Sequence, residues 1–177
     1  KQKNKPIVPL STTINNYKGR IFVNYALIAS YHENTEDIIK YVNKALETLA
    51  EDQVFWRNLA SMIQSDAYFI LGRLEDAHIG QVAINESYQI AQNPFLYLMS
   101  GANLAVTLRQ QGKLHEVIEL CNKLLSYGYK NGLTNATVIG WLQIIKGEVL
   151  AELNNLEEAE KIALQGKDIA EEAKKFF

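Results

Sequence analysis

The sequence has few of the residues that tie a small fold together covalently or carry a chain through a membrane. It contains a single cysteine, Cys121, among 177 residues, which excludes an internal disulfide framework and suits a reducing cytoplasm. No apolar run approaches the roughly 20 residues that span a bilayer, and no secretory signal is present. The net charge of −2 and the pI near 6.0 provide neither the basic footprint of a nucleic-acid-binding protein nor an acidic tail. These absences predict a cytoplasmic chain that contacts neither nucleic acid nor membrane directly.

The sequence does contain an internal repeat. Turns of similar sequence end at Ala77, Val117 and Ala159, and a weaker one ends at Ile38, so that the period is about 40 residues. The position twelve residues before each of these four is small: Ala26, Ser65, Ala105 and Gly147. The position seven residues after each is apolar or small: Ala45, Ile84, Leu124 and Gly166. Small residues at fixed offsets allow two helices to pack closely, which is typical of helical-repeat hairpins.

Apolar residues spaced three and four apart predict eight helices between these turns. We expect an all-α, right-handed helical-repeat solenoid of four hairpins at about 17–50, 54–91, 95–128 and 137–174, following a linker over 1–16. The first helix is predicted over about Tyr17 to Tyr31, and Thr35 is expected to cap the second. The apolar residues of the first helix include Ile21, Tyr25, Ile28 and Ala29.

Apolar residues also stand at both ends of the predicted repeat domain, 17–175. Ile7, Val8 and Leu10 precede it, and Phe176 and Phe177 follow it. We expect further helices to cover these ends in a larger protein of which this chain is a fragment, or the ends to pair between molecules.

The sequence gives little support for a catalytic or metal-binding site. The three histidines, His32, His78 and His115, lie near successive turns, about one repeat apart, which is too far for a shared metal ion. Cys121 lies on the inner face of its helix, without an activating histidine, and is expected to pack in the core. Glu148 and Glu152 lie one helical turn apart and could be an acid and base pair, but a solvated face is the simpler interpretation. We therefore expect no enzyme activity, no metal and no cofactor.

The turn residues carry a resemblance to known families. Gly-x-Leu-x-x-Ala before a helix resembles the tetratricopeptide repeat, lengthened from its usual 34 residues. The stretch from Gly140 to Glu160 includes Lys146-Gly147-Glu148-Val149-Leu150-Ala151-Glu152, then Asn154-Asn155-Leu156. It resembles the sensor region of the maltose-regulator type of LuxR-family transcriptional activators, although Asn155 stands where that family commonly has Asp. The upstream turns at Leu71 to Ala77 and Gln111 to Leu114 match as well, so the resemblance covers roughly residues 17 to 175.

The resemblance implies a module of a large transcriptional regulator. Such proteins join an N-terminal nucleotide-binding switch domain, a helical solenoid and a C-terminal helix-turn-helix domain. The solenoid receives a small-molecule inducer, such as a sugar, or a regulatory protein, and the switch domain responds by oligomerising. This chain has no phosphate-binding Gly-x-x-x-x-Gly-Lys-Ser/Thr loop and no basic recognition helix.

Two functions from different classes follow. The first is effector sensing through the concave face of the solenoid, which the first helix of each hairpin lines in tetratricopeptide-like stacks. The second is a generic protein–protein scaffold that grips a peptide. Projection from the small-residue positions predicts nine concave-face ligand-binding residues: Arg20, Asn24, Tyr31, Asp66, Arg109, Gln110, Trp141, Glu148 and Glu152.

Overall fold

The computed structural model describes residues 9–173, and this part of the chain is helical, with no β-strand. The eight helices are α1 (Leu10–Tyr31), α2 (Thr35–Thr48), α3 (Val54–Ile70), α4 (Leu74–Ile90), α5 (Pro94–Gln110), α6 (Leu114–Lys130), α7 (Thr137–Glu152) and α8 (Leu156–Ala173). The all-α helical-repeat prediction is confirmed. None of the helices over residues 9–173 is long and apolar enough to cross a membrane.

The first helix begins at Leu10 rather than near Tyr17. The stretch that follows Pro9 contains neither proline nor glycine until Gly19, so nothing in it interrupts a helix. Pro9 stands at the N-terminal cap, where its carbonyl oxygen accepts the first helical hydrogen bond from the Thr13 N–H at 3.1 Å. Residues 10–16, predicted as linker, are therefore helical. The apolar residues 7, 8, 176 and 177 lie outside the described residues, and the domain bounds stay a prediction.

The predicted turns lie where the backbone becomes left-handed. The φ angles are 71° at Gly72, 73° at Gly112, 61° at Asn154 and 53° at Glu33. Such a residue ends a helix because it turns the next N–H groups back onto the last carbonyls. At the last of these turns, the Asn155 N–H donates to the Leu150 carbonyl oxygen at 2.9 Å.

The cap of α2 differs from the prediction by one residue. Asn34, not Thr35, is the N-cap, and its Oδ1 accepts a hydrogen bond from the Asp37 N–H at 3.1 Å. Asn and Thr are both good N-caps, but the left-handed Glu33 places Asn34 at the cap and Thr35 inside the helix.

The chain divides into two compact units, Lys1–Arg73 and Leu74–Phe177, and the helices of the predicted second hairpin fall in different units. In the first unit, α1 packs against α2 and α3. The buried face of α1 contains Gly19, Val23, Ala26 and Ala29. Of the four apolar residues singled out on this helix, only Ala29 is buried. Ile21, Tyr25 and Ile28 are about half exposed, at 53%, 48% and 54%.

In the second unit, the close approach predicted for the last hairpin is confirmed. A Cβ added to Gly140 of α7 would lie 2.5 Å from the Gly166 carbonyl oxygen of α8. One added to Gly147 would lie 3.0 Å from the Ala159 carbonyl oxygen. Only glycine allows the two backbones to lie this close.

The small-residue repeat is confirmed in both units. All eight residues at its two positions are buried: Ala26, Ala45, Ser65, Ile84, Ala105, Leu124, Gly147 and Gly166.

Candidate functional site

Three of the predicted ligand-binding residues meet on the adjacent helices α5 and α7 of the second unit. Arg109 lies in the last turn of α5, and its guanidinium reaches across to two carboxylates near the end of α7. Its Nε and Nη2 lie 2.6 Å from Oε1 of Glu152, and its Nη1 donates to Oε2 of Glu148. One fork-shaped cation therefore holds two carboxylates, which is the geometry that guanidinium groups favour.

The charges of this cluster explain its arrangement. Glu148 and Glu152 are four residues apart on one helix, a spacing at which like charges repel. Arg109 offsets that repulsion from the neighbouring helix, leaving a formal net charge of −1. The side chains remain 30% (Arg109), 47% (Glu148) and 41% (Glu152) exposed. Carboxylate oxygens that stay in contact with water can accept hydrogen bonds from an ammonium, guanidinium or hydroxyl group of a ligand.

Two further predicted residues belong to the same helices. Gln110 follows Arg109 at the end of α5 and is exposed. Trp141 is half-buried on α7, seven residues before Glu148, and therefore lies on the same helical face about two turns away.

Arg20 belongs to a different cluster, in the first unit. Its Nη2 donates to Oε1 of Gln53 at 2.7 Å. Its guanidinium carbon lies 5.4 Å from the ring centre of Tyr17 and 5.5 Å from that of Trp56, within cation–π range. The predicted combination of an arginine with an aromatic platform therefore occurs here, with the guanidinium bound to Gln53 and placed beside the two rings of its own fold.

The remaining predicted residues do not join either cluster. Asn24 of α1 donates to the carbonyl oxygen of Arg20 at 2.8 Å, within its own helix, and Tyr31 is 88% exposed. Asp66 of α3 is exposed as well. The protein around Asp66 removes part of the hydration of its carboxylate, and this desolvation raises its pKa to about 6.

Some contacts of polar side chains could not be predicted from the sequence. Gln53 and Trp56 reach Arg20 from another helical segment, so only Tyr17, three residues before Arg20 on α1, could have been inferred from spacing. In the second unit, the buried Gln143 of α7 donates to the Tyr129 hydroxyl at 3.1 Å. No local pattern in the sequence links these two residues.

The structure keeps the other candidate groups apart. Within residues 9–173, no three His, Cys, Asp or Glu side chains are grouped closely enough to hold a metal ion. Cys121 is fully buried, as predicted. Burial raises the pKa of its thiol to about 12, although the charge of Lys146 acts in the opposite direction. At neutral pH this thiol is protonated and a poor nucleophile.

Comparison with solved structures supports the helical-repeat fold. The chain is similar to the apo form of RapI, at 16% identity and a TM-score of 0.80, over 90% of this chain and 58% of that one. It is also similar to aspartyl phosphate phosphatase F from Bacillus subtilis, at 13% identity and a TM-score of 0.80, over 94% of this chain and 42% of that one. The chain thus spans about half the length of these two structures, and identities this low establish the fold alone.

Comparison of sequences identifies the family. No curated protein sequence matches the chain. The family model of the MalT-like TPR region matches residues 19–176, which is nearly the whole sequence. The chain therefore belongs to the MalT-like tetratricopeptide-repeat family.

Proposed function

We propose that this chain is a non-enzymatic, effector-sensing module of a cytoplasmic LuxR-family transcriptional regulator. The observation that carries the proposal is the cluster of Arg109 with Glu148 and Glu152 on α5 and α7. These are first helices of predicted hairpins, and in tetratricopeptide-like stacks such helices form the binding face. The family match supports this placement because it covers the same helices.

The chemistry of the cluster restricts the effector. Its net negative charge and exposed carboxylate oxygens favour a ligand rich in hydroxyl groups, such as a sugar, or one that carries a cation. The half-buried Trp141, on the same face, offers an apolar surface against which a sugar ring or an aliphatic group can pack. Binding would bias the orientation of neighbouring domains by stabilising one arrangement over another.

The alternative is a scaffold that grips a basic peptide through the same carboxylates. The two functions differ in what stabilises the protein. A ligand that binds only the folded state raises its free energy of unfolding by about 2.7 kcal/mol at a concentration of about 100 times Kd. Thermal unfolding with a panel of oligosaccharides and a panel of basic peptides therefore distinguishes them.

The variants Arg109→Gln and Glu148→Gln test whether the cluster is the site. We expect each to reduce the ligand-induced rise in Tm, with a loss of affinity of about tenfold or more. Glu148→Gln removes a carboxylate that accepts from the ligand, and Arg109→Gln removes the cation that holds both carboxylates in place. The matched control is Lys167→Gln, which removes the exposed Lys167–Glu171 ion pair of α8 in the same unit. Stabilisation that survives in both cluster variants would place the binding site elsewhere. Stabilisation by peptides alone would favour the scaffold.

The gene that encodes the chain provides a separate test of the regulator assignment. We expect a phosphate-binding loop encoded upstream and a basic helix-turn-helix encoded downstream. A reading frame without either domain would contradict this assignment and favour the adaptor.

A further inference from the structure

Helix α1 carries a continuous exposed strip of mostly apolar side chains, which we name the α1 strip. Its apolar members are exposed by 45% at Ile14, 53% at Ile21, 54% at Ile28 and up to 88% at Tyr31. The strip consists of Leu10, Ile14, Tyr17, Ile21, Asn24, Ile28 and Tyr31. An isolated surface helix turns polar residues to water, so a strip of this length indicates a face that a partner covers.

The spacing of the α1 strip points to a helical partner. Successive members are separated by four and three residues in strict alternation along the whole helix, which is the seven-residue repeat of a coiled-coil seam. One of its two positions is isoleucine each time, at Ile14, Ile21 and Ile28. A repeat of 3.5 residues keeps a seam facing a second helix that lies nearly alongside.

In the other repeats, the face that corresponds to the α1 strip is buried. Ile21 corresponds to Ala60 in α3, Ser100 in α5 and Leu142 in α7, which are exposed by 0%, 5% and 0%. Likewise, the residues that correspond to Ile28 are completely buried: Ala67, Thr107 and Val149. In α1 the same two positions are exposed, so no helix within residues 9–173 packs on the face that is buried in the other first helices.

The charges beside the strip select among helical partners. Over Leu10–Tyr31 the helix carries Lys18 and Arg20 and no Asp or Glu. These two residues flank the strip, at the positions that determine partner choice in coiled coils. Lys18 is exposed there, whereas Arg20 is half-buried and also contacts Gln53 and Trp56. A second copy of α1, which has no Asp or Glu, would offer these cations no carboxylate. A helix with Glu or Asp beside its seam would pair with them.

We propose that the α1 strip is a docking surface for an amphipathic α-helix of a partner protein, with acidic side chains flanking its apolar seam. The partner helix packs alongside α1 as a coiled-coil seam and covers Ile14, Ile21 and Ile28. The α1 strip and the Arg109 cluster have no residue in common, so the two proposals stand or fall independently.

The probe is a synthetic helical peptide of about three heptads, with leucine at the seam and glutamate at the flanking positions. Its matched control has the same seam with lysine at the flanks. Isothermal titration calorimetry with the whole chain should show binding of the glutamate peptide, tighter by about tenfold or more than that of the lysine peptide at low salt. Equal affinity for the two peptides, or no binding of the glutamate peptide, would overturn the proposal.

Three variants locate the contact. Ile21→Asp should weaken binding of the glutamate peptide by about tenfold or more, because it places a charge in the centre of the seam. Ile79→Asp is the matched control, since Ile79 of α4 is 61% exposed but lies outside the strip. Lys18→Glu should shift the preference towards the lysine peptide. Both substituted residues on α1 are exposed, so circular dichroism should show an unchanged fold.

The oligomeric state distinguishes a partner helix from a second copy of the chain. Sedimentation should show a monomer for the chain alone at micromolar concentrations. If the chain is instead a dimer that Ile21→Asp dissociates, the occupant of the strip is a second copy, and the proposal is wrong.

Discussion

Cys121 is the only thiol of the sequence, and its surroundings determine its chemistry. The side chain lies on the buried face of α6, and burial raises the pKa of the thiol to about 12. Because the thiolate is the reactive form, both its low population and its inaccessibility protect it in the folded protein.

Alkylation of Cys121 should therefore report unfolding. At pH 8.5, iodoacetamide should label the native chain at least about 100-fold more slowly than the chain in denaturing urea, because labelling requires local opening. Mass spectrometry over time gives both rates. Native labelling as rapid as that of the denatured chain would contradict the buried position of this thiol.

Asp66 should produce a pH dependence of stability. Its pKa is raised from 3.8 to about 6 in the folded state, so between these values the folded chain holds a proton that the unfolded chain has lost. The contribution of Asp66 to the free energy of unfolding is thus fully present below about pH 4 and is lost as the pH rises through about 6. Because the side chain is exposed, solvent screening leaves an effect of less than about 1 kcal/mol.

The variant Asp66→Asn isolates this contribution. Urea unfolding at pH 4 and at pH 7 should show a smaller fall in the free energy of unfolding than in the unmodified chain. Asp168→Asn on the exposed surface of α8 serves as the control. An unchanged pH profile in Asp66→Asn would show that desolvation of this carboxylate is negligible.

Glycine allows α7 and α8 to lie close together where their backbones cross. The contact between α7 and α8 brings Gly140 and Gly166 so close that an added Cβ on Gly140 would meet a carbonyl oxygen at 2.5 Å. A backbone atom cannot move aside without shifting the whole helix. At Gly128 of α6, by contrast, the added Cβ would meet Cδ1 of Ile139, the flexible end of a side chain, at the same distance.

Alanine substitutions at these two glycines should separate backbone from side-chain crowding. Gly140→Ala should lower the free energy of unfolding by about 2 kcal/mol, because overpacking outweighs the gain in helix propensity of about 1 kcal/mol. Gly128→Ala should change it by less than about 1 kcal/mol. Urea denaturation followed by circular dichroism measures both. A smaller loss at Gly140 than at Gly128 would contradict the close backbone contact.

The whole molecule consists of two compact units, and the second has a core of its own. Its large buried side chains include Tyr97, Leu98, Leu124, Ile139 and Leu142, contributed by α5, α6 and α7. Helical repeats depend mainly on their sequence neighbours for stability, so part of an array can fold alone.

A fragment comprising Leu74–Phe177 should therefore fold. We expect a helical circular dichroism spectrum and a cooperative thermal transition. Gly140→Ala should lower the stability of the fragment by about as much as that of the whole chain, within about 0.5 kcal/mol, because the site is far in sequence from the cut. A fragment without a cooperative transition would show that the second unit requires the first.

The sequence by itself determined the eight helices, the turns and the small-residue contacts. These features are local, because helical periodicity, left-handed turn residues such as Gly112 and Asn154, and close contacts through Gly147 follow from short-range spacing. The burial of Cys121 followed in the same way, from its position on the inner face of one helix.

Only the tertiary structure decided which surfaces meet. Arg109 joins Glu148 and Glu152 across 39 and 43 residues of sequence, and no local pattern distinguishes this pairing from a solvated face. Likewise, α1 has apolar residues on two faces, and periodicity could not tell that Val23 would be buried and Ile21 exposed. The physical reason is that the sequence determines which residues lie on each side of a helix, but the burial of a side depends on which neighbour packs against it.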